Sequence, residues 1–253
     1  MNDTQDIAKA ILEDRCIFIC GSELSAINGR QPNNKKIVEF FIDYYWKDKF
    51  PGRFNKQELL DKSLQEVAQI YFDSVHANDI QFVANQIKNQ FLRKYIKKDL
   101  DPCATHLLLA NLGVREIYTT NYDNLIEKAF TSVGFSEINV INHNNFSELN
   151  SKGLPNIYKL CGTIGDSDII LMEKQFSETD PNRLHYPFMR QLLDKIVVFI
   201  GYNNRDHVIL SAYIDFIKKC QPRRCYCLIP NEDRKSTRLN SSHSSVSRMP
   251  SSA

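Results

Sequence analysis

Apolar residues in this chain fall into two kinds of run. Cys16-Ile17-Phe18-Ile19-Cys20 and Ile196-Val197-Val198-Phe199-Ile200 are apolar at every position, the pattern of strands covered on both faces. Shorter strand-like runs are Glu116–Thr119, Glu137–Ile141, Asn156–Leu160, Asp168–Leu171 and Arg224–Ile229. Between them apolar residues recur at helical spacing: Ile7–Asp14, Ala104–Leu112, Leu125–Thr131, Leu184–Lys195 and Val208–Lys219. Buried strands alternating with helices predict an α/β fold, a Rossmann-like parallel sheet with helices on both faces. A block of about residues 33–100 breaks the alternation. It holds three helix-like segments, Lys35–Lys47, Gln57–Ser74 and Asn78–Ile96, and reads as an all-helical insertion. Its stripe of Ile37, Val38, Phe40, Phe41, Tyr44 and Tyr45 is the spacing of a packed helix face, a commoner use of aromatics than cofactor contact.

The last twenty residues do not fit this pattern. Residues 234–253 hold eight serines and show no apolar periodicity, as a disordered tail would. The run Arg234-Lys235-Ser236-Thr237-Arg238-Leu239-Asn240-Ser241-Ser242-His243 also looks like a translated sequencing adapter. On that reading residues 1–233 form the domain, the tail is non-native, and the natural chain continues past Asp233 as a fragment would. The tail also distorts the charge. Over the whole chain 32 basic residues face 30 acidic ones; without the tail's Arg234, Lys235, Arg238 and Arg248 the balance is 28 to 30, or −2. A slightly acidic domain argues against nucleic acid as a partner.

The amino terminus, Met1-Asn2-Asp3-Thr4-Gln5-Asp6, is polar and acidic where a secretory signal is basic and then apolar. No apolar run approaches the roughly 20 residues that cross a bilayer, so no membrane partner is expected. Seven cysteines, an odd number, sit partly inside apolar runs, as reduced thiols in a cytoplasm do. No C-x-x-C pair occurs, and Cys225 and Cys227 on one strand face are too few ligands for zinc, so no metal is expected.

Four strand ends carry candidate chemistry. The first, Gly21-Ser22-Glu23-Leu24-Ser25, follows the first strand with a glycine that lets backbone approach a ligand. The second, Thr119-Thr120-Asn121-Tyr122-Asp123, ends a strand and leads into a helix. Asn121 or Asp123 there is either a ligand contact or simply a helix cap. The third is Lys159-Leu160-Cys161-Gly162-Thr163, and the fourth is Ile200-Gly201-Tyr202-Asn203-Asn204-Arg205-Asp206. In a parallel sheet all four ends meet at one edge, where such folds bind ligands.

In order and spacing these motifs resemble the sirtuin-like (silent-information-regulator-like) domains of bacterial defence NAD+ hydrolases, whose pattern runs Gly-Ala-Gly-x-Ser, Thr-Thr-Asn-Tyr-Asp, Lys-Leu-His-Gly, Phe-Ile-Gly-Tyr-Ser-x-x-Asp. The likeness extends from about Ile11 to Pro230, and His106-Leu107-Leu108-Leu109-Ala110 and Leu125-Ile126-Glu127 also fit. It implies a substrate, NAD+, and an activity, hydrolysis of its nicotinamide–ribose bond in antiphage defence. It places Gly21 and Ser25 against the phosphates, and Asn121 beside the ribose C1′ to orient the water or hydroxyl. Asp123 would help hold the nicotinamide end, with Ser22 and Thr120 as further NAD-binding residues. Gly162 would border the site, Gly201 and Tyr202 the adenosine side, with Asp206 beyond. A homo-oligomer or a missing C-terminal domain is the implied partner. Protein deacylation, the activity of better-known sirtuins, goes with a four-cysteine zinc module that this sequence lacks.

Two positions depart from the pattern. Glu23 replaces a glycine, and a carboxylate beside two phosphates opposes binding unless it turns away. Cys161 replaces the catalytic histidine. A thiol with a pKa near about 8.5 is a poorer base at neutral pH than an imidazole near about 6.5. Cys161 is therefore either the catalytic group beside Asn121 or an apolar filler. In the second case the chain is a catalytically impaired NAD+- or ADP-ribose-binding or scaffolding module. The histidines at 76, 106, 143, 185 and 207 are scattered and read as poor substitutes.

Overall fold

A computed structural model describes residues 3–26, 31–46, 52–75, 90–97, 99–142, 153–164, 169–172, 175, 195–202, 224–230 and 244–248. Helix α1 (Asp3–Leu12) leads into β1 (Cys16–Cys20), and a short α2 (Glu23–Ala26) follows. The helical block comprises α3 (Asn34–Phe41), continued by a π-turn at Ile42–Trp46, then α4 (Lys56–Leu60), α5 (Leu64–Val75) and α6 (90–95). Next come α7 (Ala104–Asn111), β2 (Glu116–Thr119), α8 (Leu125–Ser132), β3 (Asn139–Ile141), β4 (Asn156–Lys159), β5 (Ile196–Ile200), β6 (Cys225–Pro230) and β7 (Ser244–Arg248).

The strands form one sheet in the order β3-β4-β2-β1-β5-β6-β7. All neighbours from β3 to β6 are parallel; β7 joins β6 antiparallel, with Leu228 opposite Val246. The expected Rossmann-like sheet is thus present. The order reverses beside β1: the chain builds leftward through β2, then returns to place β5 on the other side. That reversal opens the crevice in which α/β sheets hold ligands.

Alternation along β1 divides the core between the two faces. Ile17 and Ile19, with Tyr118, Tyr158, Val197 and Phe199, pack under the helical block. Cys16, Phe18 and Cys20, with Ile117, Ile157 and Val198, pack under α1, α7 and α8. Tyr118 and Tyr158, register partners on β2 and β4, stack at 4.2 Å and 5°. The aromatic stripe of the insertion is core: Phe41 meets Tyr71 and Phe91 edge-on, and Phe40 stacks on Tyr95.

Capping explains where helix boundaries depart from the periodicity. The run expected as one helix over Gln57–Ser74 is two, because Ser63 and Glu66 form a capping box that starts α5 afresh (Ser63 N–H to Glu66 Oε2, 2.8 Å; Glu66 N–H to Ser63 Oγ, 3.2 Å). The strand expected at Asp168–Leu171 is not one. Residues 169–172 are buried, but their backbone groups bond elsewhere: the Ile170 N–H to the Cys161 carbonyl, the Ile170 carbonyl to the Tyr122 hydroxyl, and the Leu171 and Met172 N–H groups to Gln175 Oε1. β7 lies inside the serine-rich stretch expected to be disordered or non-native, and here pairs along the edge of β6. The helices expected at Leu184–Lys195 and Val208–Lys219 lie outside the described residues, apart from Lys195.

Candidate functional site

The ends of β1, β2 and β5 are tied together through backbone. Gly21 N–H donates to the Ile200 carbonyl (2.9 Å) and Glu23 N–H to the Gly201 carbonyl (2.9 Å). Thr120 N–H and the Thr119 hydroxyl both donate to the Cys20 carbonyl (3.2 and 3.1 Å). Thr119 Oγ1 in turn accepts the Asn121 N–H (3.1 Å), which fixes the turn after β2. Small polar residues are needed here because each strand end must satisfy its neighbour's exposed carbonyls.

Above these ends lies a cleft of about 480 Å³, open mouth included. It is lined by Ser22, Ser25, Thr120, Asn121, Tyr122 and Asp123 from the strand ends, by Gln31, and by Asn34, Ile37, Leu64, Gln65 and Ile96 from the helical block. The structure thus brings together five of the residues singled out from sequence: Ser22, Ser25, Thr120, Asn121 and Asp123. Gly21 and Gly201 sit beneath them in mutual contact, and Tyr202 packs edge-on against Phe199.

The choice between cap and contact divides between two residues. Asp123, one residue before the N-cap Asn124, serves the start of α8, its Oδ1 accepting the Leu125 N–H at 3.1 Å, while also lining the cleft. Asn121 caps nothing. Its Nδ2 donates to Ser25 Oγ (3.0 Å), and its buried Oδ1 has no hydrogen-bond partner among the described residues. The buried Ser22 hydroxyl is likewise unpartnered among them. Buried polar atoms are nearly always satisfied, so such atoms lining a cleft make Asn121 and Ser22 candidate ligand contacts.

Lys159 braces this turn from below. Its buried ammonium donates to the Asp123 carbonyl (2.5 Å) and lies 3.2 Å from Glu127 Oε1 in the first turn of α8. The two charges form an ion pair, and neither Glu127 carboxylate oxygen has a hydrogen-bond partner among the described residues.

The two departures from the motif pattern receive different answers. Glu23 is not among the residues lining the cleft; it faces a neighbouring one with Lys36, Lys94 and Lys97. Cys161 is fully buried beside the Tyr122 side chain and is not among the lining residues either. Burial drives the Tyr122 phenol well above its ordinary range, so it is a neutral hydroxyl donating to the Ile170 carbonyl (2.8 Å). Gly162 turns the chain after β4, its N–H on the Lys159 carbonyl (3.2 Å). Asp206 and the histidines other than His106 lie outside the described residues. Among the described residues no group of His, Cys, Asp and Glu gathers as metal ligands, and no helix is long and apolar enough to cross a membrane.

His106, which the sequence offered only within a run that fits the family pattern and as a poor substitute for the catalytic histidine, joins the site. It is buried, with Nε2 3.2 Å from Ser25 Oγ. Topology is the signal that finds it. A helix preceding a parallel strand runs against that strand, so the first turn of α7 lies at the carboxyl edge, where β2 ends.

Comparison with known proteins agrees with this architecture. The family model of the SIR2-like domain matches residues 115–247. A protein named NAD(+) hydrolase ThsA from Cytobacillus dafuensis is 26% identical over 239 residues, which cover 91% of this chain and 44% of that protein. Proteins of the same name from Acinetobacter baumannii (29% over 241 residues; 90% and 45%) and Bacillus cereus (26% over 241 residues; 93% and 47%) are similar to the same extent. The chain spans less than half the length of these relatives.

Proposed function

This chain belongs to the SIR2-like domain family, and on that premise we propose that it hydrolyses the nicotinamide–ribose bond of NAD+ and serves antiphage defence. The observation that carries the proposal is the Asn121 carbonyl oxygen, buried, unpartnered among the described residues and lining a cleft at the carboxyl edge of the sheet. The names of the similar proteins support the substrate.

The chemistry suits these groups. The C1′–N bond breaks with its electron pair leaving on nicotinamide, whose ring loses its positive charge. Water forms the new C–O bond at C1′ and releases a proton to solvent. Because the leaving group starts as a cation, the protein mainly supplies position and electrostatic support. Asn121 Oδ1 accepts a hydrogen bond from the attacking water and so aims its lone pair. Ser22, Ser25 and the Gly21 turn hold the diphosphate and ribose, Thr120, Asp123 and Gly162 hold the nicotinamide end, and Gly201, Tyr202 and Asp206 border adenosine. Self-association or a further domain completes the working protein in this reading; sizing the natural full-length protein tests that part.

The test is nicotinamide and ADP-ribose release from NAD+, measured by chromatography. Asn121→Ala is expected to lower kcat by about 100-fold or more with little change in thermal stability. A variant as active as the parent overturns the proposal. A second reading is favoured by one observation: Cys161, standing where the family has histidine, is buried outside the cleft lining. In that reading the chain binds NAD+ or ADP-ribose without cleaving it. Calorimetric binding by an inert parent, with turnover gained in Cys161→His, selects it; turnover in the parent that Cys161→His does not improve rejects it.

A further inference from the structure

We propose that Cys103 and His106 are positioning residues that fix the polarity of the Ser25 hydroxyl, so that Ser25 offers a proton and Asn121 a lone pair to one bound group. The inference follows from donor and acceptor accounting. The Cys103 backbone N–H, which can only donate, lies 3.3 Å from His106 Nδ1, and the Cys103 sulfur lies 2.9 Å from the same nitrogen. Nδ1 is therefore the acceptor, and in a neutral ring the proton sits on Nε2. Nε2–H then donates to Ser25 Oγ at 3.2 Å. Asn121 Nδ2–H donates to the same oxygen at 3.0 Å. A hydroxyl oxygen has two lone pairs, and both are now filled. The Ser25 proton must point elsewhere, and Ser25 lines the cleft.

The Asn121 amide completes the accounting. Its NH2 end is held by Ser25, so its oxygen is the end left without a partner among the described residues. A donor and an acceptor thus stand side by side, held by groups more than 80 residues away in sequence. Reversing the His106 tautomer would make Ser25 donate to His106 and withdraw that proton from the cleft. His106 is 1% exposed and Ser25 3%, so bulk water does not compete for these bonds. His106 touches no ligand in this scheme; it acts only through Ser25.

The kinetic part of the test rests on the NAD+ hydrolase reading; the spectroscopic part does not. Long-range nitrogen–proton NMR of the full chain labelled at histidine reads the tautomer directly. The Nε2–H form is expected, and an Nδ1–H ring or an imidazolium at neutral pH overturns the proposal whether or not the protein turns over NAD+. For turnover, His106→Leu keeps the volume without a donor and is expected to lower kcat per folded molecule about tenfold to a hundredfold. His106→Gln, which returns an amide donor toward Ser25, restores most of it. In a Ser25→Ala background His106→Leu should then have no further effect on kcat. A loss in His106→Leu that persists unchanged in that background, or a fall in melting temperature with normal kcat, overturns the positioning role. An inert parent that does not bind NAD+ removes the hydrolase reading and leaves the tautomer to decide this one.

Discussion

Gly21 and Gly201 meet backbone to backbone where β1 and β5 end. A Cβ on Gly21 would stand 2.5 Å from the Gly201 carbonyl oxygen, and one on Gly201 2.5 Å from the Leu24 nitrogen. Gly201 also has φ +71°, a conformation L residues adopt only with strain. The contact fixes how closely the first loop approaches β5, and hence where Ser22 and Ser25 stand. Overpacking against backbone has no flexible neighbour to absorb it. Gly21→Ala and Gly201→Ala are each expected to destabilise by about 2–5 kcal/mol, Gly201→Ala more because strain adds to the clash. Urea unfolding checks this; shifts within about 0.5 kcal/mol contradict it.

Ser22 separates binding from folding. Its buried hydroxyl lacks a partner among the described residues. Leaving a hydroxyl unsatisfied costs about 1–3 kcal/mol, so Ser22→Ala is expected to leave stability unchanged or raise it by about 1 kcal/mol. If that hydroxyl waits for the substrate, the same variant binds NAD+ about fivefold to tenfold more weakly. Melting temperature and calorimetric affinity moving in opposite directions is the expected pattern. Unaltered affinity would show that the hydroxyl contributes nothing to binding.

Much of this arrangement was legible in the sequence, because the relevant signals are local. Cys16–Cys20 and Ile196–Ile200 are apolar throughout and are central strands. Thr119–Asp123 ends a strand in residues that must bond across to β1, and does so through Thr119 and Thr120. What stayed hidden depends on side-chain direction or long-range placement. Nothing local says that Glu23 lines a separate cleft with Lys36 and Lys94, or that Cys161 is buried beside Tyr122. His106 needed the run of α7 against the sheet to be known first. The apolar Ile169–Leu171 imitates a strand, but its backbone partners are Cys161, Tyr122 and Gln175. Ser63 shows the converse: its capping box with Glu66 was written in the sequence and overridden by helical periodicity on both sides.

The Lys159–Glu127 pair should behave as a buried ion pair does. Lys159 is fully buried and Glu127 nearly so, and no other hydrogen-bond donor among the described residues serves the carboxylate. Removing one charge strands the other. Lys159→Met and Glu127→Gln are each expected to destabilise by about 3–5 kcal/mol, and the double variant by clearly less than their sum. A double-mutant cycle in urea measures the coupling. Strict additivity would mean that the two charges are independently solvated. Because Lys159 also holds the Asp123 carbonyl, Lys159→Met should reduce NAD+ affinity more than Glu127→Gln does.

The buried thiols and phenol predict a one-sided pH dependence. Burial raises the Cys16 thiol from about 9 to about 12, and raises Cys20 and the Tyr122 phenol as well. In the unfolded chain thiols lose their protons near pH 9 and the phenol near 10. In that window the folded state holds more protons than the unfolded one, so stability must fall as pH rises. Below about pH 8 these groups are neutral in both states and contribute no slope. The decline starts near pH 9, steepens near 10, and from Cys16 alone reaches about 4 kcal/mol by pH 12. Urea midpoints at pH 7, 8, 9 and 10 under reductant should therefore be level at first and then drop. Cys16→Ala lowers the whole curve by opening a small cavity, but flattens its alkaline slope. An unchanged slope in that variant would place the titrating groups elsewhere, and rapid labelling of Cys16 and Cys20 in the native protein at pH 8 would contradict their burial directly.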